Sequence, residues 1–374
     1  MKSIIVSVTN DLETDQRVKK VCRFLSKRGF DVTMVGVIRP YSKSLSSIGF
    51  STHRFKILFQ KGFLFYAEYN IRLLFYLLNR KSDILVSNDL DTLLPNYLVS
   101  RLKRKSLVYD SHEYFLGSTE IQTRKVVKKI WETIERSIFP HLKNVITVNE
   151  SIANLYKKDY GIKPIVVHNF PPFQNLNFSK TRKDLGLPEN KKIVLMQGSA
   201  INIQRGAEEL IKSLQPEYGL DNVHLLFIGG GDVWEEIQKL TNSLNLKDKI
   251  TFLPRMPFEN MMEYTRLCDL GISIDKPVSI NYQFSLPNKL FDYIAAGLPV
   301  LVSPLAEVKK IVENYNVGLC IEKHEEQHIA SMISRMFADQ KRYNCWKKNT
   351  VKAHSLLNWE REEEKLKSIY DPLI

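Results

Sequence analysis

Residues 285–300 read Ser-Leu-Pro-Asn-Lys-Leu-Phe-Asp-Tyr-Ile-Ala-Ala-Gly-Leu-Pro-Val, a helix start, an acid, a small-residue helix end and the head of an apolar strand in one block. Pro287 suits a first helical turn, where a missing N–H costs nothing, and the free backbone donors beside it, from Asn288 on, face any bound anion. Lys289 and Asp292 are three apart and share one helix face. Such a face suits a phosphate at one end and a sugar hydroxyl at the other; the plainer alternative is an acid on a solvated surface. Ala295, Ala296 and Gly297 stop the helix before the strand Pro299-Val300-Leu301-Val302.

The same rhythm of short β-branched runs and longer amphipathic ones extends along the chain, which predicts parallel sheets wrapped by helices. Strands are expected at residues 4–8, 32–37, 84–87, 107–109, 145–148 and 165–167, with helices at 14–28, 63–79, 92–102, 124–139 and 151–159. Asn169-Phe170-Pro171-Pro172 breaks the pattern, and the polar stretch to Lys183 reads as a linker. Strands resume at 193–197, 223–228, 250–253, 270–274 and 300–302. The expected fold is α/β, two doubly wound Rossmann-like domains, 1–175 and 176–356, with ligands beyond the carboxyl ends of their strands and a cleft between the sheets.

A chain of 374 residues with 44% hydrophobic content suits two ordinary cores. Its net charge of +13 is uneven: the first 185 residues hold 31 of the 54 Lys and Arg but only 16 of the 41 Asp and Glu, about +15 against −2 for the rest. An anionic partner on one side is implied. Nucleic acid is set aside, because the bases lie on many separate helices without a recognition motif. An anionic membrane surface fits better: residues 63–78 interleave Phe63, Phe65, Tyr66, Tyr69, Phe75 and Tyr76 with Arg72, ahead of Arg80-Lys81. Lys61, Glu68 and Arg72 prevent this segment from spanning a bilayer, so it is an interfacial helix or an ordinary packed one. Cys22, Cys268, Cys320 and Cys345 show neither disulfide nor zinc spacing. The run after Lys2 meets Asn10-Asp11 before a signal-peptide core forms, and a cytoplasmic protein is expected.

The 285–300 block resembles the donor-site helix of the retaining nucleotide-sugar glycosyltransferases of family 4 (glycosyl transferases group 1), which have the GT-B architecture. In that pattern two glutamates with seven residues between them read the transferred sugar and the nucleotide ribose. Asp292 holds the second position and Phe284 the first, where an aromatic cannot accept hydroxyl hydrogen bonds. The resemblance places the phosphate-gripping base at Arg205, after Gly198-Ser199; Ser199 stands where relatives often carry a second base, leaving one guanidinium there. Gly229-Gly230-Gly231-Asp232 follows the next strand, and the backbone at Gly230 and Gly231 is expected to approach the diphosphate. Arg205, Gly230 and Lys289 each follow a separate strand of one sheet. The resemblance also implies that the tail, 357–374, packs back on the first domain.

In the first half, Tyr109-Asp110-Ser111-His112-Glu113 resembles the family's histidine motif, whose imidazole lies close to the transferred sugar. That role falls to His112, whose ordinary pKa permits proton handling; the alternative is a structural histidine at a helix start. Asp110 and Glu113 are expected to hold its ring or bind the acceptor. Asn10, Asp11, Asp15 and Arg17 enclose the first strand-to-helix turn on the acceptor side, and Asp89 ends a neighbouring strand. Asp91 reads as a helix cap. A nicotinamide enzyme is excluded by the absence of the glycine fingerprint after the first strand, and a glycosidase or serine hydrolase by missing carboxylate pairs and nucleophile elbow.

The resemblance implies transfer from a UDP-, GDP- or dTDP-sugar to an acceptor hydroxyl with retention, with His112, Arg205 and Lys289 central, no metal and no further cofactor. A glycan or lipid-linked acceptor of bacterial surface polysaccharide synthesis follows from relatives, with the protein peripheral on the inner membrane face. A sugar-nucleotide epimerase of the same fold and a non-catalytic scaffold are the alternatives, and Phe284 favours the latter.

Overall fold

The structure, a computed structural model, describes residues 1–40, 42, 44, 49–173 and 179–373. The chain divides into two compact units, Met1–Asn169 with Arg361–Ile374, and Phe170–Glu360. The boundary expected at 175/176 lies outside the described residues.

Seven parallel strands build the first unit: β1 (Ser3–Asp11), β2 (Asp31–Ile38), β3 (Ser51–Lys56), β4 (Ile84–Asn88), β5 (Ser106–Ser111), β6 (Asn144–Thr147) and β7 (Ile165–Val166), in the order β3-β2-β1-β4-β5-β6-β7. Helices cover both faces, so the inner strands are almost continuously apolar. Ile4, Val6, Leu85, Val86 and Val108 are all buried. The strand order reverses between β1 and β4. The tail of the chain adds to this unit: the Glu362 carboxylate accepts the His168 N–H at 2.8 Å, and Asp371 pairs with Arg28 at 2.7 Å.

Six parallel strands build the second unit: β8 (Lys192–Gly198), β9 (Val223–Gly229), β10 (Ile250–Pro254), β11 (Leu270–Ser273), β12 (Val300–Val302) and β13 (Gly318–Cys320), in the order β10-β9-β8-β11-β12-β13. Here the reversal lies between β8 and β11. Helix Asn288–Ala295 reaches this point because the buried Tyr293 hydroxyl accepts the Gln197 N–H at 3.1 Å and donates to the Ile272 carbonyl at 3.1 Å. Gly271 leaves room for the ring, since a Cβ there would sit 2.5 Å from it.

Two strands escape the periodicity reading, β3 and β13. Each pairs with a single neighbour at a sheet edge, where a long apolar run is not required. The helix Gly62–Asn79 packs through one face: Phe65, Tyr69, Leu73 and Leu77 are buried, whereas Phe63, Leu64, Ile71 and Phe75 are 52–60% exposed. Among the described residues no helix is long and apolar enough to cross a membrane.

Candidate active site

In doubly wound sheets ligands bind beyond the strand carboxyl ends where the strand order reverses. At the β8/β11 reversal stands Asp275, fully buried, with a cation on each oxygen. Arg205 Nη1 donates to Oδ2 at 2.9 Å, and Lys289 Nζ to Oδ1 at 3.2 Å. Arg205 keeps a quarter of its side chain exposed, with its guanidinium carbon 4.8 Å from the Tyr282 ring centroid. Burial lowers the Lys289 pKa, Asp275 opposes that, and Arg205 adds to it. Two bases share one acid, so one positive charge is left uncompensated at a strand end.

One turn on, Asp292 accepts a hydrogen bond from Gln197 Nε2 at 3.3 Å, and Gln197 Oε1 accepts the Thr265 hydroxyl at 2.7 Å. Burial raises the Asp292 pKa to about 7, against the pull of Gln197. Pro287 is not in the first helical turn; with ψ of 138° it precedes the helix as its cap, and the exposed Asn288 is the first helical residue. The free N–H groups of that turn remain at this end of the helix. Phe284 closes the short turn Ile280–Gln283, its N–H donating to the Ile280 carbonyl at 3.0 Å.

The glycine run brings two loops into close approach. A Cβ on Gly229 would lie 1.8 Å from the Gly198 carbonyl oxygen, and one on Gly231 2.0 Å from that of Ile201. These glycines let the loops after β8 and β9 touch. Gly230 spends its N–H on the Gly198 carbonyl at 3.3 Å and accepts from Ile201 at 2.7 Å, so that N–H is not free for a phosphate. Nor is Arg205 the one guanidinium near Ser199. Arg255, just past β10, lies against Gly230 and donates to the Ser199 carbonyl at 2.5 Å.

The first unit's reversal, between β1 and β4, gathers acids. His112 donates its backbone N–H to Asp89 Oδ1 at 2.7 Å; its ring nitrogens lie 3.4 Å from Asp89 Oδ2 and 3.7 Å from Asp110 Oδ2. Burial alone would lower the His112 pKa, but Asp89 and Asp110 outweigh it and raise it to about 9. The two carboxylates thus favour the protonated, hydrogen-bond-donating form of the ring. Burial would raise the Asp110 pKa, but Arg17 at 2.8 Å holds it well below the usual carboxylate range. Asp89 has φ 58° and ψ 169°, a region costing a non-glycine residue roughly 1–3 kcal/mol and found mostly at functional sites.

Three of the expected acceptor contacts are turned inward. Arg17 is 4% exposed and spends its other terminal nitrogen on the Val167 carbonyl at 2.9 Å, so it positions Asp110. Asp15 caps the helix Gln16–Lys27 through the Val18 N–H and accepts from Asn10 Nδ2 at 2.8 Å. Asp11 takes the Glu13 N–H at 3.1 Å and the Ser42 hydroxyl, with Arg54 3.8 Å away. Asp91 is no helix cap: its Oδ2 accepts the Thr9 hydroxyl at 2.6 Å, and burial followed by the Asp89 charge raises its pKa to about 8. Glu113 stays half-buried, its carbonyl accepting from Ser111 at 2.6 Å.

Two family descriptions cover most of the chain. "Glycosyltransferase Family 4" matches residues 15–172, and "Glycosyl transferases group 1" matches residues 177–353. The chain belongs to the group 1, family 4 glycosyltransferases.

Solved structures similar to this family 4 member place its fold in the GT-B class. A sucrose-phosphate synthase from Thermosynechococcus elongatus matches with a TM-score of 0.78 at 18% identity, over 100% of this chain and 99% of that one. Anabaena HepE in complex with UDP-glucose matches at 0.74 and 15%, over 100% of both. WaaG, a glycosyltransferase involved in lipopolysaccharide biosynthesis, matches at 0.73 and 17%, over 99% of both. Curated relatives are 20–26% identical, and the chain spans about half the length of those it matches.

Asp275, Gln197 and Arg255 of this family 4 chain carry no local motif. Asp275 and Arg255 had one signal, a charged residue just past a predicted strand of the second sheet.

Proposed function

We propose that the protein is a retaining glycosyltransferase that moves a sugar from a nucleoside-diphosphate donor to a hydroxyl of a lipid-linked glycan in surface polysaccharide synthesis. The observation that carries this reading is the convergence of Arg205 and Lys289 on Asp275 at a sheet reversal. Spare positive charge beside a helix N-terminus suits a departing diphosphate, and a GT-B neighbour holds UDP-glucose. Asp292 then accepts the ribose hydroxyls, and protein cations, not a metal, compensate the phosphates. In the first unit the His112 imidazolium donates to a sugar hydroxyl, held by Asp89 and Asp110.

Retention proceeds by front-face displacement. The bond from the anomeric carbon to the phosphate oxygen breaks, the bond to the acceptor oxygen forms on the same face, and the leaving phosphate takes the acceptor proton. No protein nucleophile is needed. With Phe284 in place of an acid, the sugar is read by something other than a carboxylate. The exposed apolar residues of the helix Gly62–Asn79 and the basic first half support a peripheral position on the inner face of the membrane.

Incubation with UDP-, GDP- and dTDP-sugars tests the reading. Slow nucleotide release and acceptor-dependent transfer, lost in Arg205→Ala and kept in Cys320→Ala, are expected. Sugar inversion on the nucleotide instead identifies an epimerase, and no nucleotide binding a scaffold.

A further inference from the structure

The first unit contains an apolar cavity of 360 Å³, away from the acid cluster but abutting the same loops. Its walls come from two helices, Gly62–Asn79 and Lys125–Ile138, and from the turn after β5; they include Phe63, Tyr66, Ala67, Ile71, Phe115 and Trp131. Protein interiors are close-packed, and an apolar space of this size falls in the range of ligand pockets. Several large apolar side chains of its walls, and Val126 beside them in the chain, also reach solvent. Phe63 is 60%, Ile71 56%, Ile130 40% and Val126 74% exposed, a patch of the kind that marks an interaction site.

The charge at the mouth has one sign. Arg124 lines the cavity, Lys128 lies one turn on along the same helix, and no acid is among the described lining residues. Lys128 donates to Gln122, an uncharged partner. On the inner side Asn70 lines the cavity and donates to the Asp91 carbonyl at 2.9 Å, on the loop that also carries Asp89. Phe115 is three residues past His112. Hydrocarbon walls, a cationic rim and a floor on the acceptor-side loops define an elongated apolar ligand with an anionic head. A free sugar has no use for such walls, and a membrane surface alone leaves the cavity unfilled.

We propose that this cavity holds a hydrocarbon chain of the phosphate-bearing lipid that carries the acceptor sugar. The acceptor's identity rests on the transferase reading; the chain site does not. The test titrates the full protein calorimetrically with dodecyl phosphate below its micelle threshold, with dodecyl maltoside and inorganic phosphate as the other arms. Saturable one-to-one binding of dodecyl phosphate is expected, at least tenfold tighter than the neutral detergent, with no inorganic phosphate bound in that range. Ala67→Trp, which fills the space, should weaken it at least tenfold while leaving nucleoside-diphosphate binding and the melting temperature unchanged. Ile130→Glu at the mouth gives a second route should the first variant not fold.

Equal binding by wild type and a folded variant, or non-saturating uptake as by a membrane surface, would overturn the proposal. Failure to bind UDP, GDP and dTDP with dodecyl phosphate still bound would remove the transferase reading and leave the chain site. Nucleotide binding without chain binding would do the reverse.

Discussion

The two sheets reverse their strand order in the same way, yet the groups gathered at the two reversals differ in charge balance, one near neutral and the other with a cation to spare. Beyond β1 and β4 stand Asp89, Asp91 and Asp110 around a single imidazolium and a buried arginine. Beyond β8 and β11 two bases share a single carboxylate. Backbone topology chooses where a ligand sits; side-chain charge chooses which ligand. Acids that orient a donor histidine suit neutral hydroxyls, and a cation pair with charge to spare suits a diphosphate.

That contrast breaks first on Arg205→Ala. Loss of a charged contact to phosphate should cost about 1.5–3 kcal/mol, roughly a ten- to hundredfold weaker nucleoside-diphosphate affinity by calorimetry, whereas His112→Ala should leave that affinity within about twofold and abolish transfer. Equal losses in both would erase the division of labour.

Asp275→Asn comes next. It leaves two cations facing one another, and since both keep some solvent contact the stability loss should be about 2 kcal/mol, below the roughly 3–5 kcal/mol of a fully buried broken pair. Urea denaturation reads it, and added UDP should recover part of the loss by binding the native state.

Asp89→Asn sharpens the other side. Removing the stronger of the two charges that hold His112 protonated should bring its pKa down from about 9 towards its ordinary value, followed by the imidazole proton signals in NMR. The sign for stability follows from the folded state binding the extra proton. The contribution is complete below about pH 6.5, is lost as pH rises through about 9, and should shrink in the variant.

Arg255→Ala should have the smallest effect, about 1 kcal/mol or roughly fivefold in donor affinity, if this guanidinium adds to the phosphate grip beside Ser199. An unchanged affinity would leave Arg255 as a brace for the loop after β8.

Much of this was legible from the sequence because it is local. The spacing of Lys289 and Asp292 fixes a shared helix face, and alternating apolar runs fix two wound sheets. What was hidden depends on distant partners. Asp275 meets Arg205 across seventy residues, and Arg255 meets Ser199 across fifty-six. Gly230 looked like a phosphate cradle because a glycine run after a strand reads alike whether the backbone approaches a ligand or another loop. Asp11, Asp15 and Arg17 looked available because their inward partners, Ser42, Val18 and Asp110, follow only from the folded turn. The edge strands β3 and β13 stayed silent for want of an apolar signature.

The most direct test of the central claim compares the preferred nucleoside diphosphate with its nucleoside in calorimetric titrations of the wild type and of Arg205→Ala/Lys289→Ala. The account predicts a strong preference for the diphosphate in the wild type and near-equal binding of the two ligands in the double variant. A double variant that keeps the wild-type preference would contradict it.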